Sequence, residues 1–168
     1  VPQSSFYVSS REALSKKGGI ICLQLKLDVI PNQMSKPKPK EIDWKLIMKK
    51  NAFDEPDIPR ASVMKVLWEY WNGRSWVRLF AGDEYENLFF RTHEEHVSVV
   101  FHCPPDIEET AVNSEVNYWI RIRVLKIDNL YESDPIYMSP WIEEVRISYE
   151  YGDTFVTTEH CMTVNALD

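Results

Sequence analysis

Val66-Leu67-Trp68-Glu69-Tyr70-Trp71-Asn72-Gly73-Arg74-Ser75-Trp76-Val77-Arg78-Leu79-Phe80 is the stretch that decides the fold. Two β-prone runs flank Asn72-Gly73, and Asn-Gly in that setting is the strongest short-range signal for a hairpin. Two registers satisfy it. A two-residue loop opposes Trp71 with Arg74 and Glu69 with Trp76. A four-residue loop, Asn72 to Ser75, opposes Trp71 with Trp76 and Glu69 with Arg78. The second makes an aromatic pair and an opposite-charge pair, each worth about 0.2–1 kcal/mol, and is preferred. Either register puts Trp68, Tyr70, Val77 and Leu79 on one face and Glu69, Trp71, Trp76 and Arg78 on the other.

Working outward, the same period-two alternation recurs. Ile21, Leu23, Leu25, Leu27 and Val29 alternate with Cys22, Gln24, Lys26 and Asp28, the pattern of a half-buried strand. Val97, Val99 and Phe101 alternate with Ser98, Val100 and His102. Tyr118, Ile120, Ile122 and Val124 alternate with Trp119, Arg121, Arg123 and Leu125. Val145, Ile147, Tyr149 and Tyr151 alternate with Glu144, Arg146, Ser148 and Glu150, and residues 154–158 read as another strand. Asp106 to Asn117 reads as loop. Strands without regular helix alternation predict an all-β fold, an antiparallel β-sandwich of the jelly-roll-like kind.

Two segments stand apart. Residues 9–19 carry a capping-box spacing, Ser9 with Glu12, and a Gly18-Gly19 stop, which predicts a short N-terminal helical turn. Residues 31–62 hold Pro31, Pro37, Pro39, Pro56 and Pro59, five of the 10 prolines, with the run Lys36-Pro37-Lys38-Pro39-Lys40. This is a Pro/Lys-rich excursion between strands, with helical spacing of Ile42, Trp44, Leu46 and Ile47 inside it. The chain then divides as one domain: 1–30, the lead-in turn and first strand; 31–62, the excursion; 63–151, the main sandwich; and 152–168, a C-terminal strand or tail.

Composition narrows the function. A chain of 168 residues buries about 70% of its unfolded surface, so it needs no staple. Its net charge is −7, which disfavours nucleic-acid backbones and anionic membranes as partners. Only 5 glycines are present, against 6 Trp, 8 Tyr and 7 Phe. Few glycines disfavour phosphate-cradling loops. No run reaches the roughly 20 apolar residues of a membrane span. Cys22, Cys103 and Cys161 are odd in number and far apart, which suits buried thiols in a reducing compartment better than a disulfide framework. Val1 in place of an initiating Met suggests a processed chain or a piece of a longer one.

His93-Glu94-Glu95-His96 has metal-ligand letters but not the helical spacing that puts two imidazoles on one face. Cys22, Cys103, Cys161 and His102 lack a Cys-x-x-Cys pair. Carboxylates cluster at Asp83, Glu84 and Glu86 and at Asp106, Glu108 and Glu109, yet nothing fixes the 5–10 Å separation that glycoside hydrolysis needs. The reading is of no catalytic residue, no metal and no cofactor. The aromatics are the stronger signal. Trp71 and Trp76 lie opposite the core-facing side of the hairpin, and Arg121 and Arg123, with Trp119, make a comparable stripe. Such residues anchor interfaces or stack on sugars. The plainer reading has both hairpin faces covered, one by a second sheet and one by the excursion.

From Trp68 to Val77 the sequence resembles a module of J-like baseplate-assembly proteins, which belong to contractile phage tails and related injection systems. Cys103-Pro104-Pro105-Asp106-Ile107-Glu108-Glu109-Thr110 is similar to the Pro-Asp loop of that module. Val112-Asn113-Ser114-Glu115-Val116-Asn117-Tyr118-Trp119-Ile120-Arg121-Ile122-Arg123 is similar to its next segment, Ile142 to Tyr151 to its closing strand, and Phe6 to Gly18 to its lead-in. The likeness covers most of residues 6–151. Ser114 and Asn117 stand where the family pattern has glycines, and 31–62 does not align.

The resemblance implies a non-enzymatic, structural β domain, accessory to a larger baseplate protein. Its partners would be other baseplate or tail proteins, with no nucleic acid and no membrane insertion. It would fold in the cytoplasm and then join a virion or phage-tail-like particle. Trp71, Trp76, Arg121 and Arg123 are the candidate docking surface. The alternative is a carbohydrate-binding module using the same Trp residues on a glycan. A hydrolase built on the acidic clusters is a third reading.

Overall fold

The computed structural model describes residues 4–32, 60–90, 96–131 and 135–167. The strands are β1 (Ser4–Ser9), β2 (Ile20–Asn32), β3 (Arg60–Trp71), β4 (Trp76–Arg78), β5 (His96–His102), β6 (Glu109–Val112), β7 (Glu115–Asp128), β8 (Ile136–Tyr151), β9 (Thr154–Thr157) and β10 (Met162–Leu167), with one helix, α1 (Arg11–Leu14). The protein is therefore all-β. The strands join in one sheet of order β10-β1-β7-β3-β8-β2-β5, with β4 on β3, β6 on β7 and β9 on β8. The pairing is mixed, not wholly antiparallel. β3 and β8 run parallel through Arg60↔Ile136, Ala61↔Tyr137 and Ser62↔Met138. That short parallel seam joins two antiparallel limbs, β10-β1-β7-β3 and β8-β2-β5.

One apolar cluster draws on both limbs: Val8, Val66, Trp68, Ile120 and Ile122 from the first, and Ile21, Leu23, Leu25, Val99, Phe101, Ile147 and Tyr149 from the second. These are the period-two residues of each strand, because alternate side chains leave a strand on the same side. The hairpin adopts the four-residue loop, with Glu69↔Arg78, Tyr70↔Val77 and Trp71↔Trp76 paired. Asn72 stabilises it through its side-chain oxygen, which accepts from the Arg74 and Ser75 N–H groups at 3.0 and 2.9 Å. Gly73 takes φ 86°, a conformation that costs other residues about 1–2 kcal/mol.

Four boundaries differ from the sequence reading. Strand β2 continues through Pro31 to Asn32, and β3 already begins at Arg60, so both ends of the expected 31–62 excursion belong to strands, and its remainder lies outside the described residues. Pro31 is tolerated because β5 pairs only with Ile20–Lys26, leaving β8 as its one described neighbour there. The proposed helix at 41–50 lies outside the described residues. The stretch Asp106–Asn117 is not all loop: β6 and β7 form a hairpin whose turn residues, Asn113 and Ser114, have φ 48° and 70°. Such turns usually carry glycine, so Ser114 hides the signal. Finally, β1 and β10 pair with each other, and the cap of α1 is Ser10, not Ser9. The Ala13 N–H donates to Ser10 Oγ.

Trp68 is 2% exposed at the centre of the shared core. Replacing Trp68 with Ala should cost about 3–5 kcal/mol. Urea unfolding followed by far-UV circular dichroism measures this as a lowered midpoint.

Candidate functional site

Strands β3, β4, β7 and β1 carry a second apolar layer on the face away from the shared core. Tyr7, Val112 and Trp119 are buried there, with Trp76 and Val164 packed against them. Tyr7 meets Trp76 and Trp119 edge-on, at 5.7 and 6.3 Å between ring centroids. The β6 hairpin helps close this layer: Thr110 O accepts from Trp119 Nε1 at 3.1 Å. Trp119 is thus a core residue of this face, not a surface one.

At its border lie all four candidate residues. Trp71 and Trp76 face each other across the hairpin, 5.7 Å apart and inclined at 64°. The Arg121 guanidinium sits 4.5 Å from the Trp76 ring centroid, a cation–π distance. Arg121 Nη2 lies 2.8 Å from Glu69 Oε2, and Arg123 Nη2 lies 3.1 Å from Glu69 Oε1. Nε of Arg121 and Nε of Arg123 also donate to Glu69 Oε2, at 2.9 and 3.2 Å. Glu69 is 4% exposed. The two tryptophans and two arginines are each half-buried. The structure therefore brings the four together as one fixed, partly exposed patch.

Glu69 is what the sequence reading misplaced. Arg78 is its cross-strand neighbour in register, yet the carboxylate turns to β7, where Arg121 is its register partner on the other side. Arg78 instead binds Glu86 at 2.9 Å. Two planar guanidinium forks satisfy a buried carboxylate better than one exposed arginine can.

The acidic clusters act as local fasteners. Tyr70 OH donates to Asp106 Oδ1 at 2.9 Å, and burial together with this bond raises the Tyr70 pKa. Glu108 binds Lys17 at 2.8 Å, Glu109 binds Arg11 at 3.2 Å, and Glu86 takes Lys65 as well as Arg78. The 104–108 loop is thereby docked on the hairpin, with the Glu108 N–H donating to Trp71 O at 2.9 Å. Among the described residues no group of three or more His, Cys, Asp or Glu could hold a metal ion. His93, Glu94 and Glu95 lie outside the described residues. Cys22 is half-buried, Cys103 buried and Cys161 exposed, all three as free thiols. Burial pushes the Cys103 thiol up to about 11, against a smaller opposing pull from Lys17.

A cavity of about 1340 Å³ opens elsewhere, lined by Val63, Val124, Leu130, Ile142 and Trp141 among others. None of the four candidate residues lines it. Among the described residues no helix is long and apolar enough to cross a membrane. Comparison with family models, curated proteins and solved structures finds no match.

Mutation, pH and thiol labelling probe this arrangement. A double-mutant cycle between Glu69 and Arg121 should give a large coupling, and one between Glu69 and Arg78 almost none. Glu69→Ala alone should cost about 3–5 kcal/mol, because it strands two partly buried arginines. Cys103 favours its protonated form in the folded state, so its contribution to stability holds below pH 9 and fades as pH climbs towards 11. At pH 8 a thiol reagent should label the exposed Cys161 in the folded state, slowed because burial raises its pKa, and Cys103 only on unfolding.

Proposed function

We propose that this chain is a structural interaction domain of a phage-tail-like baseplate protein, holding neighbouring subunits through the Trp71–Trp76–Arg121–Arg123 patch. In this reading the two limbs serve as the two layers of a sandwich. The domain performs no catalysis, needs no cofactor, and works within a contractile injection particle.

One observation carries the docking surface. Two tryptophans and two arginines, the residue types that dominate interface energetics, are locked in place around a buried carboxylate while keeping part of their surface open. A pre-ordered patch has less side-chain entropy to lose on binding, which favours affinity. The family assignment itself rests on the sequence likeness from Phe6 to Tyr151. The docked Pro104–Glu108 loop and the Asn72–Ser75 turn are two of the segments that carry that likeness, and they touch each other.

The carbohydrate reading draws on the same tryptophans. Their 64° inclination argues against it, since the pair offers no flat platform for a sugar ring.

Trp71→Ala, which leaves the Glu69–Arg121–Arg123 cluster whole, tests the proposal. The variant should keep its circular dichroism spectrum and yet fail to enter particles reconstituted with tube and wedge subunits. Normal incorporation would refute the docking role. A glycan array on which the wild type binds and the variant does not would support the carbohydrate module instead.

A further inference from the structure

Strand β5 is the outermost strand of its limb among the described residues, and β2 is its one partner in the sheet order. Such an edge invites pairing with another chain unless charge, proline or a bulge blunts it. β5 has none of these. His96-Val97-Ser98-Val99-Val100-Phe101-His102 contains no Lys, Arg, Asp, Glu, Pro or Gly. Its register with β2 runs unbroken from Ile20↔His102 to Lys26↔His96, so no bulge turns the edge away. A seven-residue strand with three Val and one Phe and no Lys, Arg, Asp, Glu or Pro has the composition that pairs readily with a like strand.

A side chain from elsewhere occupies this edge. The Val100 N–H donates to Tyr85 Oη at 3.3 Å. Val100 therefore turns its N–H away from β2, and antiparallel alternation turns Ser98 outward as well. Tyr85 sits at φ 60°, which is strained for a bulky side chain. Its neighbours hold it there. Tyr85 O accepts from Trp68 Nε1 at 3.2 Å, and its ring lies 5.1 Å from that of Phe80, which in turn meets Phe101 edge-on. Buried Leu88 and Phe89 anchor the far end of the segment.

We propose that residues 79–90 form a strap which, through Tyr85, keeps β5 from pairing with β5 of a second copy of this chain. The strand is self-complementary about Val99. A two-fold antiparallel pair sets Ser98 opposite Val100 and His96 opposite His102, outward residue against outward residue. It also sets Val97 and Phe101 on the same face as partners. The Tyr85 hydroxyl takes the Val100 N–H that such a pair requires.

The test uses the full chain and Tyr85→Phe, which removes only the hydroxyl. Wild-type protein should sediment as a monomer and show a protected Val100 amide in hydrogen exchange. In Tyr85→Phe, at concentrations low enough to keep the chain monomeric, that amide should exchange roughly five- to tenfold faster, the loss expected for one hydrogen bond. The variant should also form a dimer whose fraction grows with concentration. Adding Ser98→Pro, which removes an outward N–H and leaves the β2 ladder whole, should restore the monomer. A Tyr85→Phe chain that stays monomeric, or a dimer that persists with Ser98→Pro, overturns the proposal. Should Tyr85→Phe fail to fold, wild type still decides: an unprotected Val100 amide, or a dimer already paired through β5, overturns it equally.

Discussion

A carboxylate at 4% exposure near the end of β3, Glu69, is the constraint around which this part of the sheet is organised. Stripping water from Glu69 costs several kcal/mol, and only close, well-oriented cations offset that. Arg121 and Arg123 supply them from β7, two residues apart and so on one face. The arrangement holds only in the observed register. A slip of one residue between β3 and β7 would send Glu69 to the face of Ile120 and Ile122, and Trp68 out of the core, while the arginines stayed behind. The net gain in stability from such a cluster is small. Its stronger effect is to make the alternative pairings of two long, hydrophobic strands costly.

The rest of the second face follows from this choice. With Glu69, Arg121 and Arg123 fixed on it, that side of the first limb is neither plain core nor plain solvent surface. Tyr7 and Trp119 close one flank as buried aromatics, and the β6 hairpin lies over them through the Trp119 Nε1–Thr110 O bond. On the other flank Trp76 covers Arg121 and meets Trp71. Arginine is suited to this position because it can pair with the carboxylate in its own plane and stack a ring on its face.

Much of this was legible in the sequence, and the reasons are specific. Period-two alternation placed Ile21, Leu23, Leu25, Val99, Phe101, Ile120, Ile122 and Ile147 on the core side, because burial of one sheet face leaves no other pattern open. The Trp71–Trp76 and Glu69–Arg78 oppositions select the observed hairpin register from local sequence alone. What stayed hidden depends on distant chain. Glu69 has possible partners on both neighbouring strands, and only the strand order shows that β7 holds two arginines against one on β4. The parallel seam of β3 with β8 joins residues 60–62 to 136–138, a pairing no local pattern announces. β1 was missed because Ser5 and Ser9 are small polar residues at buried positions, so its alternation looks like loop.

Part of the acidic charge fastens the structure locally: Asp106, Glu86, Glu108 and Glu109 bind tyrosine, lysine and arginine partners that tie loops to strands. Those ties converge on the hairpin. The 104–108 loop holds Trp71 through its backbone and Tyr70 through Asp106, while a Cβ at Gly73 would stand 3.3 Å from the Glu108 side chain. Lys17, its pKa raised chiefly by its bond to Glu108, carries the same loop back to the turn after α1. The aromatic–arginine patch is therefore held from two sides: from beneath by Glu69, and from its rim by a loop whose own anchors lie at the start of the chain. The same loop plants Ile107, 0% exposed, in the shared core, so displacing it would disturb the core as well as Trp71, and the patch is as rigid as the fold that carries it.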